Sequence, residues 1–230
     1  MFTEALVVVF ALVLVRIYSV SCPRKILRPR TSATCSLAVF LGSGGHTSEA
    51  LSLVSALDFT RYTPRTYIVS SGDSLSVQKA LALEVLKAST ASGSAGSPES
   101  VNYRVLTIPR ARYVHQKLRT TPWTAFRSLL VSIYHITLVP LLPVSSTRPA
   151  VPEALLLNGP GTCFVLCLAV YLNRLLGLSS PRLIYVESFA RVKSLSLSGK
   201  LLRSIVDSFV VQWPDLLQHK KNGVCHGWLV

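Results

Sequence analysis

Apolar residues in this chain fall into two spacings. Dense runs of Val, Leu, Ile, Phe and Tyr recur at 36–41, 66–70, 103–108, 154–157, 182–187 and 208–212. They read as strands buried on both faces, since half-buried strands would alternate apolar with polar. Between them, 47–57, 75–87, 123–139 and 162–176 carry the wider spacing of helices. Strand and helix therefore alternate along the body. That order predicts an α/β fold with one doubly wound, mostly parallel sheet covered on both faces. Residues 88–100, "ASTASGSAGSPES", have no apolar period and read as a low-complexity loop.

A different pattern precedes the first strand. Residues 5–15 are unbroken apolar, with Glu4 ahead of them and Arg16, Arg24, Lys25, Arg28 and Arg30 behind. A secretory signal has its basic residues before the apolar core. Here they follow it, and by the positive-inside rule this is an anchor whose N-terminus is outside and whose body is cytosolic. The run is shorter than the ~20 residues of a full span, and Arg16 is expected to snorkel to the interface. The expected organisation is a membrane anchor at 1–20, a Pro- and Arg-rich linker at 21–35, and a Rossmann-like domain at 36–230.

Composition supports a membrane-side protein. The 230 residues carry a formal charge of +14 and a mean hydropathy of +0.45. Such a chain suits anionic membranes or anionic ligands. Nucleic acid would explain the charge, but the basic residues are scattered, no nucleic-acid motif is present, and the apolar excess is left unaccounted for. Five cysteines at irregular spacings, with no CxxC pair, indicate neither a zinc site nor a disulfide framework. Cys163 and Cys167 read as small buried thiols. No metal and no cofactor is expected.

Two glycine loops join strand to helix. The first is Gly42-Ser43-Gly44-Gly45, followed by His46; the second is Asn158-Gly159-Pro160-Gly161, with Thr162 as its expected helix cap. Glycines allow a sharp turn and close approach of backbone to ligand, and the helix that follows presents N–H groups to an anion. Neither loop is a Walker A or a GxGxxG fingerprint. A diphosphate site and a pair of plain tight turns both fit the pattern. A neutral imidazole at His46 could take a proton from a sugar hydroxyl; the alternative is a histidine that merely bonds the turn. Glu49 reads as structural, a cap for the helix N-terminus. Glu187 ends a strand and is expected to face the same cleft, and Arg191 and Lys193 are placed to neutralise phosphate. The C-terminal Trp228, Leu229 and Val230 form an apolar end suited to covering by a partner.

The motifs "GSGGHTSE", "IPRAR", "NGPGTC", "IYVESFARVKSLSLSGKLL" and "VVQWP", in this order behind an N-terminal anchor, resemble the family of membrane-anchoring subunits of the endoplasmic-reticulum transferase that adds the second N-acetylglucosamine to the dolichol-diphosphate precursor of N-glycans. That family is similar to the bacterial lipid-linked N-acetylglucosamine transferases of peptidoglycan synthesis, whose glycine-loop histidine aligns with His46. The resemblance implies the acceptor-side half of a GT-B glycosyltransferase split into two chains, inactive alone. A cytosolic catalytic partner would supply the UDP-N-acetylglucosamine site. The implied setting is the cytosolic face of the endoplasmic-reticulum membrane and the nuclear envelope continuous with it. His46 and Glu187 are then the expected catalytic residues, and Gly42, Ser43, Gly44, Gly45, Asn158, Gly159, Gly161, Thr162, Arg191 and Lys193 the expected acceptor-diphosphate site. Trp228 to Val230 become the expected partner contact. A self-sufficient membrane-tethered nucleotide-sugar or dinucleotide enzyme would instead need an acidic residue about 20 residues past the glycine loop, where this chain has Arg61 and Arg65. A scaffold that binds nothing is the third reading, and binding of a diphosphate lipid separates it from the first.

Overall fold

The structure is a computed structural model; it describes residues 2–21, 32–92, 102–113, 116–117, 119–142, 151–159, 161–217 and 223–229. The body is one seven-stranded sheet, parallel throughout, in the order β3-β2-β1-β4-β5-β6-β7. Its strands are β1 (Leu37–Leu41), β2 (Arg65–Ser70), β3 (Tyr103–Ile108), β4 (Ala154–Asn158), β5 (Arg182–Val186), β6 (Ser208–Val211) and β7 (Val224–Cys225). From β1 the chain winds outward through β2 to β3, then returns to place β4 on the other side of β1. The topological switch point therefore lies between β1 and β4, where Leu41 pairs with Asn158. In open α/β sheets that crevice takes the ligand.

Both faces of the sheet are buried, which is why its strands show no alternation. In β1, Leu37, Val39 and Leu41 pack under Ala50, Leu51 and Val54 of α2 (Gly45–Ser55) and Ala80 of α3 (Ser74–Ser92). Ala38 and Phe40 face the opposite layer, built on Cys163, Leu166, Cys167 and Val170 of α6 (Thr162–Leu176). Both thiols are fully buried, and burial pushes that of Cys167 up to about 12.

Some boundaries differ from the pattern-based reading. α3 continues to Ser92, into the expected loop, as Ser89 and Thr90 turn their hydroxyls back to the Leu86 carbonyl; residues 93–101 lie outside the described residues, as does most of the 21–35 linker. A short α7 (Leu197–Leu202) and the two-residue β7 were too brief to carry a period.

The apolar helix after β3 is longer than expected. It comprises α4 (Thr121–Ile133), a π-helical segment Tyr134–Leu138, and the turn α5 (Val139–Leu141). Pro140 cannot donate to the Ile136 carbonyl four residues back. Asn173 of α6 donates to it instead, at 3.3 Å, while accepting from Thr137 at 2.5 Å. The stretch runs beside α6 and is pinned to the body by Ser128, which donates to Pro109 O, and Thr124, which donates to Ala111 O. Among the described residues, this internal stretch, Thr121–Leu141, is the helix long and apolar enough to cross a membrane. The N-terminal segment forms α1 (Phe2–Ser21), whose 20 residues extend about 30 Å. Its Arg16 donates to the last carbonyls of α6, those of Arg174 and Leu175. That is a favourable place for a cation at a helix C-terminus.

Candidate functional site

The two glycine loops flank the switch point. Gly44 is the N-cap residue of α2, with φ of 68°, and α2 has no side-chain cap. Gly161 is the N-cap residue of α6, which also lacks a side-chain cap. Elsewhere side chains do cap: Asp73 accepts from Ser76 at α3, and Ser196 accepts from Gly199 N at α7. Among the described residues the helices at the switch point thus keep unclaimed first-turn N–H groups, apart from that of Phe164, which bonds the Gly161 carbonyl at 3.1 Å. Among the described residues, a Cβ added at Gly44, Gly45 or Gly161 would meet no non-neighbouring atom within 4 Å, so these residues leave space in front of both turns. Under the first loop, Thr47 donates to the Gly42 carbonyl and is bonded to Ser76.

His46 is half-buried, the second residue of α2. Its Nδ1 lies 2.9 Å from Oδ1 of Asn158, the last residue of β4. Asn158 is fully buried, and its amide nitrogen donates to Oε2 of Glu49 at 2.9 Å. The other oxygen of Glu49 accepts from the hydroxyl of Ser188 at 2.7 Å, beyond the end of β5. Gly159, with φ of 120°, lies flat against the imidazole; a Cβ there would come within 3.0 Å of its Cγ. Sequence reasoning missed this connection. Glu49 does not cap α2 as expected but braces Asn158. Of the residues expected to hold diphosphate, Asn158 has its side chain engaged by His46 and Glu49, and the buried Gly159 packs against the imidazole.

Comparison with known proteins gives the same answer as the motifs. Residues 37–229 match the family described as "Oligosaccharide biosynthesis protein Alg14 like". The chain belongs to the Alg14-like family. A relative from Cryptococcus neoformans, named UDP-N-acetylglucosamine transferase subunit ALG14, is 50% identical over 82% of this chain and 77% of its own. The Schizosaccharomyces pombe protein of that name is 49% identical over 81% and 79%, and the mouse protein 35% identical over 94% and 91%. No solved structure matches the chain.

The remaining Alg14-like motifs have structural explanations. "IPRAR" joins three elements: Ala111 is buried, donates from its backbone to the Thr162 hydroxyl at 3.3 Å and accepts from Thr124. Thr162 is therefore the first residue of α6, not its cap. Glu187 does not face an open cleft. It is 1% exposed, and its carboxylate accepts from the backbone and hydroxyl of Ser196 at the start of α7. Gly199 makes room for it, since a Cβ there would fall 2.0 Å from its Oε2. Burial at a helix N-terminus, where partial positive charge gathers, suits a carboxylate that holds a loop. Arg191 and Lys193 are exposed on the turn between β5 and α7. In "VVQWP", the buried Gln212 donates to Glu187 O and accepts from Leu229 N, tying the C-terminus to that turn. Trp213, Trp228 and Phe189 form a three-ring cluster in which Trp228 is 70% exposed and neighbours Leu229 at 37%. Val230 lies outside the described residues. A cavity of about 280 Å³ opens at the carboxyl ends of β2 and β3, lined by Ser71, Thr107, Pro109, Tyr113, Arg127 and Val131.

Proposed function

We propose that this chain is the membrane-bound, acceptor-binding half of a split UDP-N-acetylglucosamine transferase, which adds the second N-acetylglucosamine to the dolichol-diphosphate precursor of N-glycans. The observation that carries the reading is the switch point. Two helix N-termini without side-chain caps, each behind an open glycine turn, stand beside one imidazole whose Nε2 has no partner among the described residues. Such an arrangement suits a sugar diphosphate, with its anionic part at the helix ends and a hydroxyl at the histidine. Gly42 to Gly45 and Gly161 would receive the diphosphate, with Arg191 and Lys193 screening its charge. His46 Nε2 removes the proton from the acceptor hydroxyl as its oxygen attacks the anomeric carbon of the donor. The bond to the UDP oxygen breaks, its electron pair leaves with UDP, and the configuration inverts.

The described residues contain one doubly wound unit, half of what a two-domain GT-B enzyme uses. In this reading a cytosolic partner closes over the switch point with the UDP-N-acetylglucosamine site, contacting the Trp228 end, and the complex works on the cytosolic face of the endoplasmic-reticulum membrane. α1 supplies the anchor. The outer face of α4 and the segments after it adds an interfacial contact: Trp123, Phe126, Leu130, Tyr134, Leu138 and Leu141 are exposed at helical spacing, with Arg119 and Arg127 beside them. Because α4 starts at the switch-point end, that contact would bring the acceptor site to the headgroups.

The test is co-expression with candidate partners and a transferase assay on the assembled complex. Removing a general base lowers rate ~10²–10⁴-fold, so His46→Ala should assemble normally and lose turnover on that scale. Near-normal turnover of assembled His46→Ala would place the base elsewhere.

A further inference from the structure

Glu49 and Asn158 are absorbed by neither the diphosphate site nor a capping role, and their geometry has one chemical consequence. We propose that the pair are positioning residues that hold His46 in the tautomer with its proton on Nδ1, leaving the lone pair of Nε2 for the acceptor hydroxyl. A carboxylate only accepts hydrogen bonds. With Glu49 Oε2 2.9 Å away, the Asn158 amide must turn its nitrogen toward Glu49 and its oxygen toward His46. The opposite orientation would set two acceptors against each other at 2.9 Å. An amide oxygen also only accepts, so His46 Nδ1 must donate to it. A neutral imidazole has one N–H, and with Nδ1 protonated Nε2 is bare.

Each member is itself fixed. Ser188 donates to the second oxygen of Glu49 at 2.7 Å, Asn158 is fully buried at the end of β4, and Gly159 packs against the ring. Three elements that are distant in sequence (α2, the β4 turn and the turn after β5) thus converge on one proton. During transfer, Nε2 takes the hydroxyl proton. The imidazolium then donates to an amide oxygen whose dipole Glu49 keeps pointed at it, and the proton later leaves from Nε2 to water.

The catalytic part rests on His46 being the base; the tautomer does not. The full chain in its assembled complex is labelled with ¹⁵N-histidine, and the His46 resonances are identified by their loss in His46→Gln. A protonated Nδ1 and a bare Nε2 are expected; the reverse assignment overturns the proposal. In Glu49→Ala the Asn158 amide is free to turn over, so both tautomers should appear and kcat should fall about tenfold or more, with KM for both substrates within about twofold. Glu49→Gln can accept from Asn158 through its amide oxygen while its nitrogen donates to Ser188. It should restore the single tautomer and most of kcat, and it remains informative if the alanine variant folds poorly. A single unchanged tautomer in Glu49→Ala, or a loss confined to KM, sinks the positioning role. Near-normal turnover of His46→Ala sinks the base assignment instead, and the resonances still decide the tautomer.

Discussion

The two glycine loops look alike in sequence and differ in what their glycines face. Gly44, Gly45 and Gly161 face open space among the described residues, where an added Cβ would meet no neighbour within 4 Å. Gly159 faces the His46 ring at contact distance with a backbone angle that only glycine adopts readily. A glycine that makes room for a neighbour's side chain and a glycine that makes room for a ligand leave the same letter in the sequence. Only the first has an occupant within the fold. The first loop and the start of α6 therefore suit ligand approach, while the Asn158–Gly159 half of the second loop is a mount for the histidine.

The sharpest way to break this distinction is Gly159→Ala. A β-carbon 3.0 Å from the ring, on a residue with φ of 120°, must push the imidazole or the β4 turn aside. The strain is worth ~1–3 kcal/mol, and a displacement of the order of 1 Å at a reacting group costs ~10²-fold in rate. Turnover of the assembled complex should fall on that scale, with thermal stability reduced and binding of the lipid acceptor retained. Wild-type turnover in Gly159→Ala would show that the contact does not position the ring.

How far the sequence discloses such distinctions depends on range. The parallel sheet is legible because β1, β4 and the other central strands are buried on both faces, and that writes unbroken apolar runs. α6 is legible to the residue, because an apolar helical period starts at a glycine turn and stops at Gly177, a left-handed C-cap. The turns of the candidate site are legible as loop positions, since glycine turns at strand ends are local features. Its wiring is not. Glu49 and Asn158 are 109 positions apart, and Glu49 and Ser188 are 139 apart; no periodicity reports such pairs. Nearby, local logic misleads: Glu49 sits where a capping box would put it if the helix began at Thr47, but α2 begins at Gly45 and the parallel sheet gives Glu49 to Asn158 instead. Glu187 reads as cleft-facing because it ends a strand, yet α7, too short to carry a period, closes over it.

Substitutions on the open side sharpen the comparison with a smaller effect. Among the described residues a β-carbon in Gly45→Ala or Gly161→Ala meets no neighbour, and Gly161 has an ordinary helical φ of −54°, so the fold should tolerate both, with stability unchanged or slightly raised at Gly45, inside the helix, and lowered by less than ~1 kcal/mol at the N-cap Gly161. If diphosphate approaches the backbone there, each β-carbon weakens hydrogen bonds to a charged group, worth ~1.5–3 kcal/mol apiece. KM for the lipid acceptor should rise about tenfold, with kcat and donor KM little changed. Unchanged acceptor KM in both would make these turns plain connections.

The smallest expected effect tests the boundary between the two roles, at Thr162. It stands between open Gly161 and the buried core, and its hydroxyl accepts the backbone N–H of Ala111. Replacing it by valine preserves shape and leaves that buried donor unsatisfied, a loss of ~1–3 kcal/mol. If Thr162 belongs to the mount, Thr162→Val should lower the denaturant midpoint of the purified complex by a matching amount. Acceptor KM should stay within about twofold of wild type, because the hydroxyl is engaged with the turn after β3. If it belongs to the ligand side, stability should hold and acceptor KM should rise as for Gly161→Ala. The ratio of the two changes measures where along "NGPGTC" the fold stops packing on itself and starts facing a substrate.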